Sequence, residues 1–447
     1  GPAPHQKYSN QGDPTLAFCG DGTVVFGYLD YNGASAPHRL LVTRSTDGGR
    51  TWLGPGIVQE TNGFPFADKP YIACAPAGGS YPNRAYVSWT NFGTTSPIRV
   101  VFSTDRGQTW TGAKNVSGGY GVQGSIPVAA ANGLVYVFWL GPSGIEFTKS
   151  TNGGGTWAAY RTVSSASSIP GTQFRRNSFP TAGIDRSGGA HAGNVYVAWS
   201  DNRNGDPDIL FSRSTDAGNT WSAPLRVNDD ALGNGRDQFF PWLAVDEKGN
   251  VHLMWHDRRD DPANDRIHVY IATSHDGGLS FDANLRVTDL PSRGSLTGFL
   301  GDYAALAAGA GKVFPFWSDL RAGTGEEDVF LEIEPAFDYD LVKNVRFAAD
   351  RETLEFDDQE PRVGSAIVYD VLVGDVADLL GGAPWSLARC AGENVNAPPA
   401  RVDEVPPPGT AVYVLVRAQG PRGVGSYGSG GAHPDAWDGF DEQGACD

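Results

Sequence analysis

Short apolar runs separated by polar, glycine-rich turns recur along the first three quarters of the chain. Five of these runs end in a tryptophan, namely Trp89, Trp139, Trp199, Trp255 and Trp317. Runs of this length, rich in valine, tyrosine and tryptophan, are typical of β-strands. The 59 glycines and 30 prolines among 447 residues make up about 20% of the chain, against roughly 12% in average proteins. This composition excludes an all-helical fold and predicts an all-β one.

An eight-residue pattern, Ser-x-Asp-x-Gly-x-Thr-Trp, recurs five times with small variations. The copies begin at Ser45, Ser103, Ser150, Ser214 and Ser274. In such a pattern the Asp or Asn side chain caps backbone N–H groups, and glycine supplies a positive φ. The final aromatic residue fastens the turn onto the sheet. The pattern therefore predicts a tight turn between two strands.

A second signal repeats in phase with these turns, because a strand opened by proline accompanies each of them. The prolines are Pro14, Pro70, Pro127, Pro180 and Pro241, and a sixth copy has Ala304 in place of proline. Six units of about 56 residues, each with four strands, indicate radial repetition of sheets. We therefore predict a six-bladed β-propeller over residues 1–336. Residues near 3–9 are expected to supply an outer strand that the sixth unit lacks.

The repeated turns resemble the Asp-box repeats, also called BNR repeats, of the sialidase-like six-bladed β-propellers. The resemblance covers almost all of residues 1–335. It implies that the Asp-boxes lie on the face away from the active site, and many members with this motif are not enzymes. The motif therefore predicts an architecture far more specifically than it predicts an activity.

Beyond Pro335 the repeats stop, and segments such as 366–373 and 411–417 alternate like the strands of a β-sandwich. In strand rhythm and size, residues 337–447 resemble a small fibronectin-type-III-like module. We expect this second domain to be an accessory module.

Four cysteines occur without the spacing of a metal site, which favours disulfides and a secreted or extracytoplasmic protein. Cys19 and Cys74 end adjacent inner strands of the predicted propeller, close enough for a bridge. Cys390 and Cys446 would staple the carboxy-terminal module.

The charge and hydropathy of the chain exclude two classes of partner. A net charge of −17 disfavours general binding to nucleic acid or to an anionic bilayer. No apolar run reaches the length that a membrane span needs.

Arginines cluster in the loops that should surround the central funnel of the last three blades. They are Arg175, Arg176, Arg203, Arg236, Arg259 and Arg321. Guanidinium groups bind carboxylate, sulfate or phosphate bidentately, so we expect the funnel to recognise an anionic glycan or polysaccharide, with Asp13 as a further ligand-binding residue. In the alternative, the aspartate of each W-x-D-x-R segment pairs with its arginine and ties down the loop.

Retaining sialidases use a tyrosine nucleophile activated by a glutamate, an aspartate acid/base and three arginines, so the resemblance implies roles for residues of this chain. Tyr303 opens the sixth inner strand, where the nucleophile belongs, and Asp68 would serve as the acid. Lys69 and Asp302 belong to the same strand starts. An acid, a lysine and a tyrosine that converge on one funnel suit proton transfer.

The sequence also departs from that family. The F/Y-R-I-P motif of the first blade is missing, and the matching stretch puts Asp13 where an arginine would bind sialate. Arg176 and Arg236 would provide two of the three arginines. No glutamate falls at an obvious inner-strand start to activate Tyr303, and Glu60 and Glu146 would serve only if their loops folded inward.

The predicted chemistry requires no cofactor. Structural calcium is a further possibility at Asp201, Asp206 and Asp208, because such oxygen-rich loops suit that ion. The spacing does not follow an EF-hand.

Three functions remain open from the sequence. The first is a secreted propeller that recognises an anionic glycan without turnover. The second is a glycoside hydrolase of sialidase type, or a polysaccharide lyase, with Tyr303, Asp68, Lys69 and Asp302 in the site. The third is a non-catalytic protein-binding or surface scaffold.

Overall fold

The computed structural model describes residues 7–32, 37–170, 174, 176–294, 299–321 and 328–331, together with short strands between 334 and 424. Every regular element in the described part is a β-strand, as the composition predicts. Within these residues no helix has the length and apolar character needed to cross a membrane. The chain divides into two compact units, the first mainly residues 1–332 and the second mainly residues 333–447.

The first unit contains successive antiparallel sheets of four or five strands, which we number in chain order. Sheet 1 consists of β1 (Asn10–Phe18), β2 (Val24–Tyr31), β3 (Pro37–Ser45) and β4 (Gly56–Asn62). Sheet 2 consists of β5 (Phe66–Cys74), β6 (Ala85–Phe92), β7 (Ile98–Ser103) and β8 (Lys114–Asn115). Sheet 3 consists of β9 (Gln123–Ala129), β10 (Val135–Gly141), β11 (Gly144–Ser150) and β12 (Arg161–Ser164).

The next two sheets keep the same strand order. Sheet 4 consists of β13 (Thr181–Ile184), β14 (Val195–Asp201), β15 (Asp208–Ser214) and β16 (Leu225–Arg226). Sheet 5 consists of β17 (Gln238–Val245), β18 (Val251–Asp257), β19 (Arg266–Ser274) and β20 (Leu285–Arg286), with β21 (Ser292–Arg293) paired to β19. Sheet 6 contains β22 (Ala305–Gly309), β23 (Lys312–Asp319) and β24 (Asp328–Leu331), with β25 (Glu334–Pro335) paired to β23.

Apolar side chains fill the space between successive sheets. Trp89, Trp139, Trp199 and Trp255 on the second strands are at most 1% exposed. Their burial is favourable because each removes a large aromatic surface from water. Trp139, Trp199 and Trp255 also donate their indole N–H to a carboxylate, as Trp199 does to Asp201 at 2.8 Å. The indole N–H groups of these three tryptophans therefore keep a partner inside the core.

The five Asp-box turns join the third and fourth strands of sheets 1 to 5. In the first turn, Asp47 accepts the backbone N–H of Thr51 at 2.9 Å and its hydroxyl at 2.6 Å. Ser45 donates to Asp47 and accepts the N–H of Gly49, which has a positive φ. Local hydrogen bonds of this kind stabilise the turn from within.

The first strands of sheets 1 to 5 lie next to one another in sequence order. Along β1 and β5, the N–H of Lys69 donates to Asp13 and the N–H of Ile72 donates to Thr15. Further along, Cys19 and Cys74 form a disulfide with their Cα atoms 4.9 Å apart. The predicted bridge between these two cysteines is therefore present. We call β1, β5, β9, β13, β17 and β22 the inner strands.

Two sequence expectations about the strand boundaries need correction. Pro127 does not occupy the position in its strand that Pro14 occupies in β1. In β1 the proline directly follows Asp13, the residue with a positive φ, whereas in β9 the residue with a positive φ is Gly124 (+68°) and Pro127 lies two positions beyond the residue that directly follows it. The backbone N–H groups of Lys7 and Tyr8 bind Asp30 of sheet 1. Residues 7–9 therefore lie against the first sheet and do not extend the sixth, while residues 3–6 fall outside the described part.

The second unit holds two small antiparallel sheets. One comprises β26 (Arg346–Phe347), β27 (Thr353–Glu355) and β30 (Ala400–Arg401). The other comprises β29 (Arg389–Val395), β28 (Val368–Asp375), β31 (Val412–Gly420) and β32 (Gly423–Val424) in that spatial order. Cys446 lies outside the described residues, so the pairing predicted for Cys390 stays a prediction.

Candidate functional site

The starts of the inner strands carry most of the polar residues that the sequence analysis singled out. A register shift interrupts the pairing of β1, β5, β9 and β17 with their second strands at this point. At these shifts Asp13 and Lys69 both take a φ of +51°, a conformation that non-glycine residues rarely adopt. The bulges redirect the side chains at the strand starts, as β-bulges beside active sites do.

Lys69 is the centre of this group. Its ammonium group lies 2.7 Å from a carboxylate oxygen of Asp302, and both side chains are only 6% exposed. Its backbone N–H donates to Asp13 at 2.8 Å. Its ammonium group also lies 5.3 Å from the ring centre of Tyr303. One lysine therefore joins sheets 1 and 2 and the segment before β22.

Asp68, the neighbour of Lys69, holds its proton unusually strongly. Burial, followed by the negative charge of Asp13, raises its pKa from 3.8 to about 6, although Lys69 acts in the opposite direction. The two carboxyl groups lie close enough to share a proton. Gln123 of β9 donates its amide N–H to Asp68 at 3.0 Å. The result is a carboxyl group poised near neutral pH, which is the property that a general acid needs.

Tyr303 packs against this carboxyl pair and against Tyr71, whose ring centre lies 5.9 Å away. Its hydroxyl is buried and interacts with the carboxyl group of Asp13. Burial, then Asp13, then Tyr71 raise the pKa of Tyr303 far above its usual value. The phenol is therefore neutral at physiological pH.

The two glutamates considered as activators of Tyr303 are engaged elsewhere. Glu60 on β4 pairs with Lys7 at 3.4 Å. Glu146 on β11 accepts the indole N–H of Trp139 at 2.9 Å and the backbone N–H of Ser143. The glutamate-activated tyrosine implied by the resemblance therefore has no counterpart in these two residues.

The arginines of the three W-x-D-x-R segments pair with the aspartates that precede them. Arg203 lies 2.7 Å from Asp201, Arg259 lies 2.8 Å from Asp257, and Arg321 lies 2.7 Å from Asp319. In each segment the aspartate also accepts the tryptophan indole N–H. The guanidinium groups predicted to bind a ligand are thus engaged in holding their own loops.

The remaining predicted arginines are in three different situations. Arg176 is buried and forms an ion pair of 2.5 Å with Asp237, which Arg258 approaches to 3.5 Å. Arg236 is partly exposed, and its guanidinium donates to the carbonyl of Gly235 in its own loop. Arg175 lies outside the described residues.

The structure does not gather the three predicted calcium ligands into one site. Asp201 is bonded to Trp199 and Arg203, whereas Asp208 accepts from Arg226, Asn204 and Asn228. Asp206 accepts the backbone N–H groups of Gly235 and Arg236. Among the described residues, no group of three or more His, Cys, Asp or Glu side chains is arranged to hold a metal ion.

The sequence analysis missed several residues of the group around Lys69 at the starts of the inner strands. Tyr71 and Trp242 follow the bulges of β5 and β17, and their rings are 5.5 Å apart. Aligning the strands on the bulge, rather than on proline alone, would have placed Tyr71, Trp242 and Tyr303 at equivalent positions. No comparable signal marked Arg258, because its contact with Asp237 depends on two loops that are distant in sequence.

No family model and no curated protein matches the chain. Solved structures do match it. A protein of unknown function from Dyadobacter fermentans is 14% identical over 73% of this chain and 96% of its own, with a TM-score of 0.46. The intramolecular trans-sialidase from Ruminococcus gnavus is 12% identical over 74% and 95%, with a TM-score of 0.47. The α-L-arabinofuranosidase from Fusarium graminearum is 14% identical over 72% and 92%, with a TM-score of 0.42. At TM-scores below 0.5, these likenesses carry no weight for fold or activity.

Proposed function

We propose that residues 1–336 form a six-bladed β-propeller of the sialidase-like type and that residues 337–447 form a separate accessory sandwich. The contacts of β5 support the propeller. Its Tyr71 touches Trp242 of sheet 5 and Tyr303, and Lys69 lies 5.8 Å from the ring centre of Phe179, just before sheet 4. One strand can reach so many sheets only if the inner strands surround a common axis. The Cys19–Cys74 bridge supports an extracytoplasmic location.

We further propose that the chain is a glycoside hydrolase that works by proton transfer at the starts of the inner strands. The observation that carries this proposal is the Asp13–Asp68 pair, in which Asp68 has a pKa of about 6. A carboxyl group that remains partly protonated near neutral pH can donate to a glycosidic oxygen as the bond to the anomeric carbon breaks. Water then adds to the anomeric carbon, and the proton that it loses restores the acid.

The neighbours of Asp68 have supporting roles in this mechanism. Asp13 keeps the proton on Asp68 by electrostatic repulsion between two carboxylates. The Lys69–Asp302 ion pair fixes β5 next to Asp68, and the backbone N–H of Lys69 holds the carboxylate of Asp13, which belongs to β1. Tyr303, which stays neutral, lies against Asp13 and can donate its hydroxyl proton to that carboxylate.

Recognition of an anionic glycan without turnover is the second candidate. It is favoured by Arg236, whose partly exposed guanidinium is not held by an aspartate in the way that Arg203 and Arg259 are. In this case Arg236→Ala removes binding of the anionic glycan, whereas Asp68→Asn leaves it unchanged.

A panel of aryl glycosides, including an α-sialoside, uronides and neutral sugars, tests the proposal. The wild type is expected to hydrolyse at least one of them, and Asp68→Asn should reduce kcat/KM by about 100-fold or more, the usual contribution of a general acid. Asp105→Asn, the same exchange in an Asp-box turn, is the matched control and should keep full activity. Absence of turnover by folded wild type on every substrate, or equal activity of Asp68→Asn, would contradict the hydrolase.

A further inference from the structure

An arginine occupies the opposite end of the inner strands from the Asp13–Asp68 pair. Arg186 follows β13, and its Nε and Nη2 donate to the carbonyl oxygen of Ala129 at 3.0 and 2.7 Å. Nη2 also donates to the carbonyl of Cys74 at 3.2 Å. These carbonyls lie at the ends of β9 and β5. The side chain therefore extends from sheet 4 across the ends of two other inner strands.

No acidic side chain of the described structure neutralises Arg186. Its hydrogen bonds go to backbone carbonyls, and burial lowers its pKa with no opposing contribution from a carboxylate. The neighbouring Asp185 accepts the backbone N–H of Ser187 instead. Arg176, Arg203, Arg259 and Arg321, by contrast, each lie against an aspartate. A guanidinium group that is held only by carbonyl dipoles, with no carboxylate beside it, remains available to an anion from solvent.

The guanidinium also retains a donor for such an anion. Nη1 of Arg186 makes no hydrogen bond to the described residues, and the residue is exposed to solvent.

A cavity of about 200 Å³ adjoins this guanidinium. The other lining residues come from four inner strands and include the apolar side chains of Ala73, Pro127, Ile184 and Leu243, although polar atoms make up the larger part of the exposed lining. Of the described residues that line the cavity, Arg186 is the charged one. The cavity therefore offers one positive charge together with several apolar side chains, a combination that suits a single carboxylate on a short hydrocarbon chain.

We propose that this cavity binds a small monocarboxylate with a short apolar chain. The carboxylate contacts Nη1 of Arg186, since guanidinium groups form charge-assisted hydrogen bonds to carboxylates. The chain lies among the apolar residues from the inner strands. One positive charge balances one carboxylate, so a dianion such as phosphate has no second charge to meet. This site is independent of the proposed hydrolase, because it lies at the other end of the strands.

Isothermal titration calorimetry with acetate, butyrate and hexanoate tests the proposal. We expect saturable one-site binding whose affinity rises about fourfold for each added methylene, as for apolar burial. n-Butanol, which has a chain but no charge, should bind at least tenfold more weakly than butyrate. Failure of all three acids to bind, or equal binding of n-butanol, would overturn the assignment.

Arg186→Gln provides the matched variant, because glutamine removes the charge but still offers N–H donors to the two carbonyls. It should weaken butyrate binding by at least tenfold, while a thermal melt shows that the protein is folded. Unchanged butyrate binding by folded Arg186→Gln would overturn the proposal. If this variant does not fold, Arg186→Lys takes its place. Because lysine keeps the positive charge, Arg186→Lys should still bind butyrate more tightly than n-butanol. Asp68→Asn should bind butyrate as the wild type does, so a result at this site is separable from a result on hydrolysis.

Discussion

Aspartates in two regions of the first unit illustrate opposite uses of the same side chain. In the first Asp-box turn, hydrogen bonds from the Thr51 hydroxyl, the Thr51 N–H and Ser45 lower the pKa of Asp47 to about 2. At the starts of the inner strands, burial and the charge of Asp13 raise the pKa of Asp68 to about 6. Asp47 accepts several N–H and O–H donors, whereas Asp68 faces another carboxylate. Burial, neighbouring charge and the number of hydrogen-bond donors together decide whether an aspartate stabilises the fold or is suited to chemistry.

The largest effect on stability should come from the Lys69–Asp302 pair. Lys69→Met leaves the carboxylate of Asp302 buried without its partner, and breaking a pair of this kind typically costs about 3 kcal/mol or more. The double variant Lys69→Met/Asp302→Asn removes both charges and should recover most of that loss. Urea unfolding of the three proteins measures the difference. Equal stability of the single variant and the wild type would show that the pair does not support the site.

The two kinds of aspartate should produce opposite pH dependences of stability. Because the pKa of Asp68 is raised in the folded state, the free energy of unfolding should fall as pH rises from about 4 to about 6. Because the pKa of Asp47 is lowered, its contribution should disappear as pH falls from about 4 to about 2.

Urea unfolding across this pH range measures both dependences. Asp68→Asn should remove only the change in the free energy of unfolding between about pH 4 and 6. Asp47→Asn should reduce only the change between about pH 4 and 2. If Asp68→Asn still lost stability between about pH 4 and 6, a group other than Asp68 would be responsible for that loss.

A smaller loss of stability is expected when an aspartate of an Asp-box turn is replaced. Asp276 in the fifth Asp-box accepts the N–H groups of Leu279 and Ser280 and the hydroxyl of Ser280 at distances of 2.6 to 3.0 Å. Asp276→Ala should therefore lower the free energy of unfolding by about 1 kcal/mol, because these bonds are exposed and water replaces them in part. Thermal unfolding measures this change, and kcat/KM should stay at the wild-type value. A loss of activity without a loss of stability would contradict the purely structural role of the turn.

The regular part of the fold could be predicted from sequence because each repeat specifies its own turn. Ser45, Asp47 and Thr51 interact within seven residues, so their pattern is visible in one chain. The disulfide between Cys19 and Cys74 could be predicted for a related reason, since the repeat placed both cysteines at the ends of adjacent strands. Residues 337–447 contain no such repeat, and the sandwich predicted there stays a prediction.

The site was only partly predictable because its energetics depend on contacts between distant segments. The sequence analysis selected Asp68, Lys69, Asp302 and Tyr303, but it could not show that Asp13 lies against Asp68. For Arg203, Arg259 and Arg321 it left two interpretations open, binding of a ligand or pairing with the aspartate two residues earlier, and the structure shows the pairing. Guanidinium groups near an acid two positions away have a local partner available, and local partners cost less chain entropy than a distant ligand.

The most direct test of this account is the pKa of the Asp68 carboxyl group, measured by carbon-13 NMR in the wild type and in Asp13→Asn. Asparagine accepts the same hydrogen bond from the Lys69 N–H and tolerates the positive φ at position 13. The account predicts a pKa near 6 for wild-type Asp68 and a clear decrease in Asp13→Asn. A wild-type value near the ordinary 3.8, or no change in the variant, would contradict the claim that Asp13 holds the proton on Asp68.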